Sequence, residues 1–272
     1  MAIKGEWIRY GDQQGYLALP ERAALPLPSV IVIQEVMGVN DQIEDVTRRI
    51  AAAGYVALAP DLYAADGTRP APMTRERIDA AMAFMRRFPP TTMFDTAARD
   101  AELAKYPEPE QARIRETIGQ VFSPPSPERS EGFVARLKSA VRHLRTERPE
   151  SKGQKVGCVG FCMGGGLSAL LACEEPEISG AAIFYGNTPA AEKIQKIGCP
   201  VIAFYGAKDQ RVNAGIPGFV DAMRKAGKPF EHYIFEGAGH GFFNDDSPSY
   251  EVKASRDSFA RLLAFYFKAL AS

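Results

Sequence analysis

Lys155-Val-Gly-Cys-Val-Gly-Phe-Cys162-Met-Gly164-Gly-Gly-Leu-Ser-Ala-Leu-Leu-Ala172 decides how the rest of the chain is read. The apolar run at 156–159 ends in Gly160-Phe-Cys162-Met-Gly164, and small, apolar residues with no breaker follow. The pattern predicts a buried strand, a turn too tight for ordinary side chains, and a helix. Cys162 stands at the tip of the turn, where a G-x-S-x-G nucleophile elbow carries its serine. Glycine on either side leaves room for the turn, and Gly165 lets the helix pack closely on the neighbouring strands. The positive end of that helix points at the sulfur and favours thiolate over thiol. A buried, inert cysteine in a strand-to-helix turn fits the same residues, so the choice rests on what the rest of the chain supplies.

Upstream, Ser29-Val-Ile-Val-Ile33 reads as a fully buried strand. It runs into Gln34-Glu35-Val36-Met-Gly38-Val-Asn40 and a helix with Asp41 and Glu44 as a capping-box-like start, Ile43, Val46 and Ile50 on one face, and Gly54 as its stop. A short strand at 55–59, closed by Pro60-Asp-Leu-Tyr63, completes a right-handed βαβ unit and hence a parallel sheet. Residues 3–19 suggest an antiparallel hairpin around Asp12-Gln-Gln-Gly15 at the sheet edge. Downstream, Val134, Leu137, Val141 and Leu144 mark a helix before the elbow strand. Strands follow at 178–185, 201–205 and 230–235, with a helix near 218–226. A closing helix at 250–270 turns Val252, Phe259, Leu262, Leu263, Tyr266 and Leu270 inward. The expected fold is α/β: a mostly parallel, doubly wound sheet flanked by helices, in one domain spanning 1–272.

Residues 64–128 break the alternation with prolines 70, 72, 89, 90, 107, 109, 124, 125 and 127 between charged helical stretches. Ile78, Met82 and Met85, and then Ile114, Ile118 and Val121, have helical spacing. This helical insertion reads either as a surface excursion or as a lid, because it leaves the carboxyl end of a strand, where such sheets bind ligands.

Lys plus Arg and Asp plus Glu balance at 33 each, with no basic run, so nucleic acid and acidic membrane surfaces are poor partners. No stretch approaches the roughly 18 apolar residues of a membrane span, and the first residues do not resemble a secretory leader. The cysteines at 158, 162, 173 and 199 lack metal-ligand or disulfide spacing. A reducing, cytoplasmic setting is expected, with no metal and no cofactor.

A nucleophilic thiol needs a base, and the base an orienting group. Of three histidines, His143 falls in a predicted helix and His232 in a strand. His240 lies in Gly237-Ala-Gly-His-Gly-Phe242, a flexible loop just past a strand, and Asp209 follows Phe204-Tyr-Gly-Ala-Lys, also past a strand. Nucleophile, acid and histidine thus occur in the chain order of α/β-hydrolases, each at the carboxyl end of a strand. Glu35, also ending a buried strand, must pair or accept hydrogen bonds there, or else cap the following helix.

Together Gln34-Glu35-x-x-Gly38-x-Asn40, Pro60-Asp-Leu-Tyr63, Gly160-Phe-Cys162-Met-Gly-Gly165, Asp209 and Gly239-His240-Gly-Phe242 resemble the dienelactone hydrolase (carboxymethylenebutenolidase) family, over about 10–63 and about 130 to the end. The resemblance implies an α/β-hydrolase with Cys162 as nucleophile, His240 as base and Asp209 as its partner. It implies Glu35 near the thiol, helping to activate it when substrate arrives, and an oxyanion hole from the backbone N–H groups of Val36 and Met163. Tyr63, Asn244 and Phe242 are the expected substrate contacts, and the substrate is a small ester or lactone. Arginines that hold the substrate carboxylate in the family are expected at the positions of Ala65 and Asn244 here. Arg69 or Arg211 would have to replace them. A broad carboxylesterase or thioesterase acting on a neutral acyl group therefore stays open, as does a thiol redox sensor, with a monomer or homodimer in either case.

Overall fold

The computed structural model describes residues 2–89, 92, 95–123 and 126–271, so Pro90, Pro124 and Pro125 lie outside the described residues. The chain opens with an antiparallel pair, β1 (Ile3–Tyr10) and β2 (Gln13–Pro20). Tyr10 pairs with Gln13, so the turn is Gly11-Asp12, earlier than the Asp12–Gly15 expected from the glycine at 15. Gly15 instead lies in β2, where an added Cβ would stand 2.7 Å from the Ala59 carbonyl of the adjacent strand.

β3 (Ser29–Ile33) leads through the loop at 34–40 into α1 (Asp41–Ala52), and β4 (Val56–Pro60) follows. Asn40 is the residue that caps α1, its side chain accepting from the Ile43 N–H at 3.1 Å. The capping box expected at Asp41 is displaced by one residue, and Glu44 pairs outward with Arg75 and Trp7. The insertion folds as α2 (Arg75–Met85), α3 (Thr96–Leu103) and α4 (Glu108–Val121). Ile78, Met82, Met85, Ile114, Ile118 and Val121 are all buried, as their spacing predicts, and join the apolar layer beneath α5 (Pro127–Arg142). Then come β5 (Val156–Phe161), α6 (Met163–Glu174), β6 (Ile178–Phe184), α7 (Ala191–Ile194) and β7 (Val201–Gly206). The chain closes with α8 (Gln210–Asn213), α9 (Ile216–Lys225), β8 (Phe230–Phe235) and α10 (Val252–Ala269).

The eight strands form one sheet in the order β1-β2-β4-β3-β5-β6-β7-β8, parallel from β4 onward. Alternate residues of β3 explain why all five are apolar or buried. Ile31 and Ile33 face the layer of α5, α6, α9 and the insertion, whereas Val30 and Val32 face α1 and α10. The buried stripe of α10 is Ala254, Ser255, Ser258, Leu262 and Tyr266. Val252, expected inside, falls off that stripe at the first turn and is 54% exposed. Strand order reverses between β3 and β5, and their carboxyl ends carry Glu35 and Cys162. Open α/β sheets bind ligands at such a reversal.

Candidate active site

The turn after β5 closes without room for side chains. A Cβ on Gly164 would stand 2.4 Å from the Ile33 carbonyl oxygen and 2.5 Å from that of Gln34. One on Gly165 would stand 2.7 Å from the Phe184 carbonyl, so α6 lies against the backbones on both sides. Just before them Cys162 is held at φ 55°, ψ −114°, a conformation costly to a residue with a Cβ, and caps α6. Its thiol is partly exposed, while Cys158, Cys173 and Cys199 are buried and free. Met163 opens α6, so its N–H has no partner within the helix.

Across the sheet, Asp209 follows β7 and caps α8, accepting from the Val212 N–H at 3.3 Å through one oxygen. Its other oxygen lies 2.5 Å from His240 Nδ1. His240 Nε2 lies 3.1 Å from Cys162 Sγ. Imidazole thus bridges acid and thiol. Burial, the largest influence on His240, lowers its pKa, but hydrogen bonds to Asp209 and Cys162, with their charges, outweigh it and raise the imidazole to about 10. Burial also disfavours Asp209 as an anion, yet His240 holds it below the ordinary carboxylate value. An imidazolium beside sulfur is the state that this geometry favours.

The loop bearing His240 is anchored by its own aromatic residues. Phe242, expected to touch substrate, is fully buried, its ring 5.4 Å from Tyr185 and 5.5 Å from Phe235. Phe243 packs on Phe161 and Phe184 at 5.3 and 4.9 Å. The sequence pattern marks these rings as apolar but not which way they face, and here they pin the loop to the sheet.

Glu35 is 5% exposed, and both its oxygens are occupied. Tyr185 Oη donates to Oε1 and Asn244 Nδ2 to Oε2, each at 2.9 Å. Burial raises the Glu35 pKa, and the two hydrogen bonds only partly offset this. Asn244, expected to touch substrate, thus donates to the carboxylate of Glu35. Tyr63, the third expected contact, also holds backbone, since its hydroxyl donates to the Val36 carbonyl at 2.8 Å and fixes the peptide beside Glu35. Tyr185 escaped sequence reading. It follows β6 at φ 38°, fully buried, its ring edge-on to His240 at 5.1 Å. The available signal was a polar aromatic between a buried strand and Gly186.

Elsewhere, His143 stacks on Tyr10 at 4.9 Å and pairs with Glu147, and His232 stacks on Phe230 on the edge strand. Arg69, considered for a substrate anion, is committed to Asp61 at 2.7 Å and to the Val39 carbonyl at 3.1 Å. Arg211 lies exposed on α8, close enough to Asp209 to favour its charged form. Among the described residues no cluster of His, Cys, Asp or Glu could hold a metal ion, and no helix is long and apolar enough to cross a membrane.

Residues 13–270 match the sequence profile of the dienelactone hydrolase family. The chain belongs to the dienelactone hydrolase family. Its members hydrolyse ester and lactone bonds, and this chain is such a hydrolase. It is 35% identical over 255 residues to a candidate carboxymethylenebutenolidase of Saccharolobus solfataricus, covering 93% of this chain and 92% of that protein. The fold matches a crystal structure of a candidate dienelactone hydrolase from Klebsiella pneumoniae, with a TM-score of 0.70 and 24% identity over 98% of this chain and all of the other. It also matches P91, a dienelactone hydrolase-like promiscuous phosphotriesterase from metagenomic libraries, with a TM-score of 0.67 and 21% identity over the full length of both. The family profile extends across the insertion, so 64–128 lies within the family region.

Proposed function

We propose that this hydrolase cleaves a small ester or lactone through a covalent thioester on Cys162, with His240 as acid–base and Asp209 as its orienting partner. The observation that carries the reading is the continuous line of Asp209, His240 and Cys162 at 2.5 and 3.1 Å. Thiolate attacks the carbonyl carbon, and the resulting oxyanion is met by the N–H groups of Met163 and Val36. Donors of this kind are worth about 2.7–4 kcal/mol each to the transition state. The imidazolium gives its proton to the leaving alkoxide as the tetrahedral intermediate collapses to the thioester. His240, now neutral, takes a proton from water, hydroxide attacks the thioester, and the thiol is regenerated. Glu35, the residue before the Val36 donor, is a buried carboxylate held by two side-chain donors, Tyr185 and Asn244.

Turnover of p-nitrophenyl acetate and of a dienelactone by wild type, Cys162→Ala and Asp209→Asn tests this reading. Cys162→Ala should abolish turnover. Asp209→Asn should lower kcat by about 10²–10⁴-fold, because an uncharged partner no longer favours the imidazolium. An alanine variant that keeps wild-type activity would remove Cys162 from the mechanism.

A further inference from the structure

The two edges of the sheet differ in kind. β1 carries Lys4, Glu6 and Arg9 along its length, charges that discourage pairing with another chain. β8 (Phe-Glu-His-Tyr-Ile-Phe) carries one carboxylate, Glu231, and no lysine, arginine, proline or glycine. It pairs with β7 over its whole length without a bulge and leaves Ile234 46% exposed. In a parallel pair, alternate residues of each strand turn both backbone groups to the neighbour. The Val201 N–H donates to the Pro229 carbonyl and the Ala207 N–H to the Phe235 carbonyl, each at 3.0 Å, so the odd-numbered residues of β8 face β7. Phe230, His232 and Ile234 therefore direct their N–H and C=O groups outward from the last strand of the sheet.

Two copies of such an edge pair antiparallel about a twofold axis, with side chains on the same face of the sheet meeting across it. Charge then selects the register. With the axis at His232, Lys228 of each copy meets Glu236 of the other, Phe230 meets Ile234, and Glu231 meets Tyr233. Lys228 and Glu236 flank β8, and neither forms an ion pair among the described residues, whereas Arg224 of α9 is paired with Asp221. Twofold symmetry makes two complementary pairs of them. On the opposite face, Tyr233 holds the Arg261 guanidinium over its ring at 4.0 Å, so Glu231 of the second copy also meets a cation. With the axis moved to Glu231, that carboxylate faces its own copy, and with the axis moved to Tyr233, Phe230 faces Glu236. Like charges directly opposite are destabilising. One register satisfies backbone and charges together.

We infer that β8 is a self-association edge, through which two copies of this chain pair antiparallel about His232 and continue one sheet across the dimer. An edge of this length spans about 20 Å, so the interface is modest and the dimer dissociates reversibly at micromolar concentration. β8 leads directly into the loop of His240, yet Cys162, Asp209 and His240 all come from one chain, so each copy keeps a complete thiol site.

The test is sedimentation equilibrium of the full chain from about 1 to about 100 µM in low salt, where a monomer–dimer equilibrium should appear. Lys228→Glu and Glu236→Lys should each weaken the dimer by about fivefold or more, and the double reversal should return the dissociation constant to near that of wild type. His232→Pro removes an outward N–H that β7 does not use, so it should weaken the dimer by about tenfold or more while the strand stays in the sheet. Circular dichroism and thermal melts establish that each variant is folded. Should His232→Pro not fold, the exposed charge reversals decide the matter. A mass of one chain throughout the range, a dimer indifferent to both single reversals, or a double reversal no tighter than the singles overturns the inference.

Discussion

Replacing Tyr185 by Phe removes one oxygen and leaves the ring among Phe161, Phe184 and Phe242, so packing is kept. The hydroxyl donates at 2.9 Å to Glu35, a carboxylate with one other side-chain donor, Asn244. Taking a donor from a buried acceptor costs about 1–3 kcal/mol. The upper part of that range belongs to the ionised carboxylate and the lower part to the neutral acid. Glu35 is already raised by burial, so its proton is held more tightly in the folded chain than in the unfolded one. Stability from such a group is fully present below the unfolded carboxylate pKa and is lost as pH rises through the folded value. Tyr185→Phe removes an influence that lowers this pKa, so it moves the folded value further up and deepens the loss on the alkaline side. Urea unfolding of wild type and variant at pH 5 and pH 8 measures the effect. The variant's deficit should be larger at pH 8, and thermal melts at the same pH values should show a melting point lower by roughly 2–4 °C for each kcal/mol. A deficit equal at both pH values, or larger at pH 5, would refute the assignment of Tyr185 as the stabilising donor to an ionisable Glu35.

Gly164→Ala places a Cβ 2.4 Å from one carbonyl oxygen and 2.5 Å from another, both backbone. Expression should yield little folded protein, or a chain destabilised by about 3 kcal/mol or more in thermal melts. Asn40→Ala should cost about 1 kcal/mol in chemical denaturation, because it removes the acceptor for the Ile43 N–H, while Asp41→Ala should cost less than half as much.

Local pattern carried much of the architecture. Strands such as Ser29–Ile33 and Val201–Gly206 are buried throughout because helices cover both faces of the sheet, and that condition shows in five or six consecutive residues. Two of the insertion helices, α2 and α4, were legible in the spacing of Ile78, Met82 and Met85 and of Ile114, Ile118 and Val121 because one face of each is buried, whereas α3 buries only Leu103 and left no such spacing. Boundaries were less so. One asparagine captured the α1 cap from Asp41, and the first turn of α10 overhangs the sheet with Val252 outward, since each outcome depends on geometry a few ångströms away.

The site divides along the same line. Cys162, Asp209, His240 and Glu35 could be singled out from sequence, each standing where an apolar strand runs out into glycine or polar residues. The partners of those side chains could not be. Tyr185 reaches Glu35 across 150 positions and Asn244 across 209, and Phe242 is buried against Tyr185 and Phe235. Sequence by itself determined which segments are strand, elbow or loop, because those follow from hydrophobic period and backbone freedom within a few residues. Tertiary structure alone decided which polar groups meet, because that depends on the order of strands in the sheet, and burial then makes every unpaired partner costly.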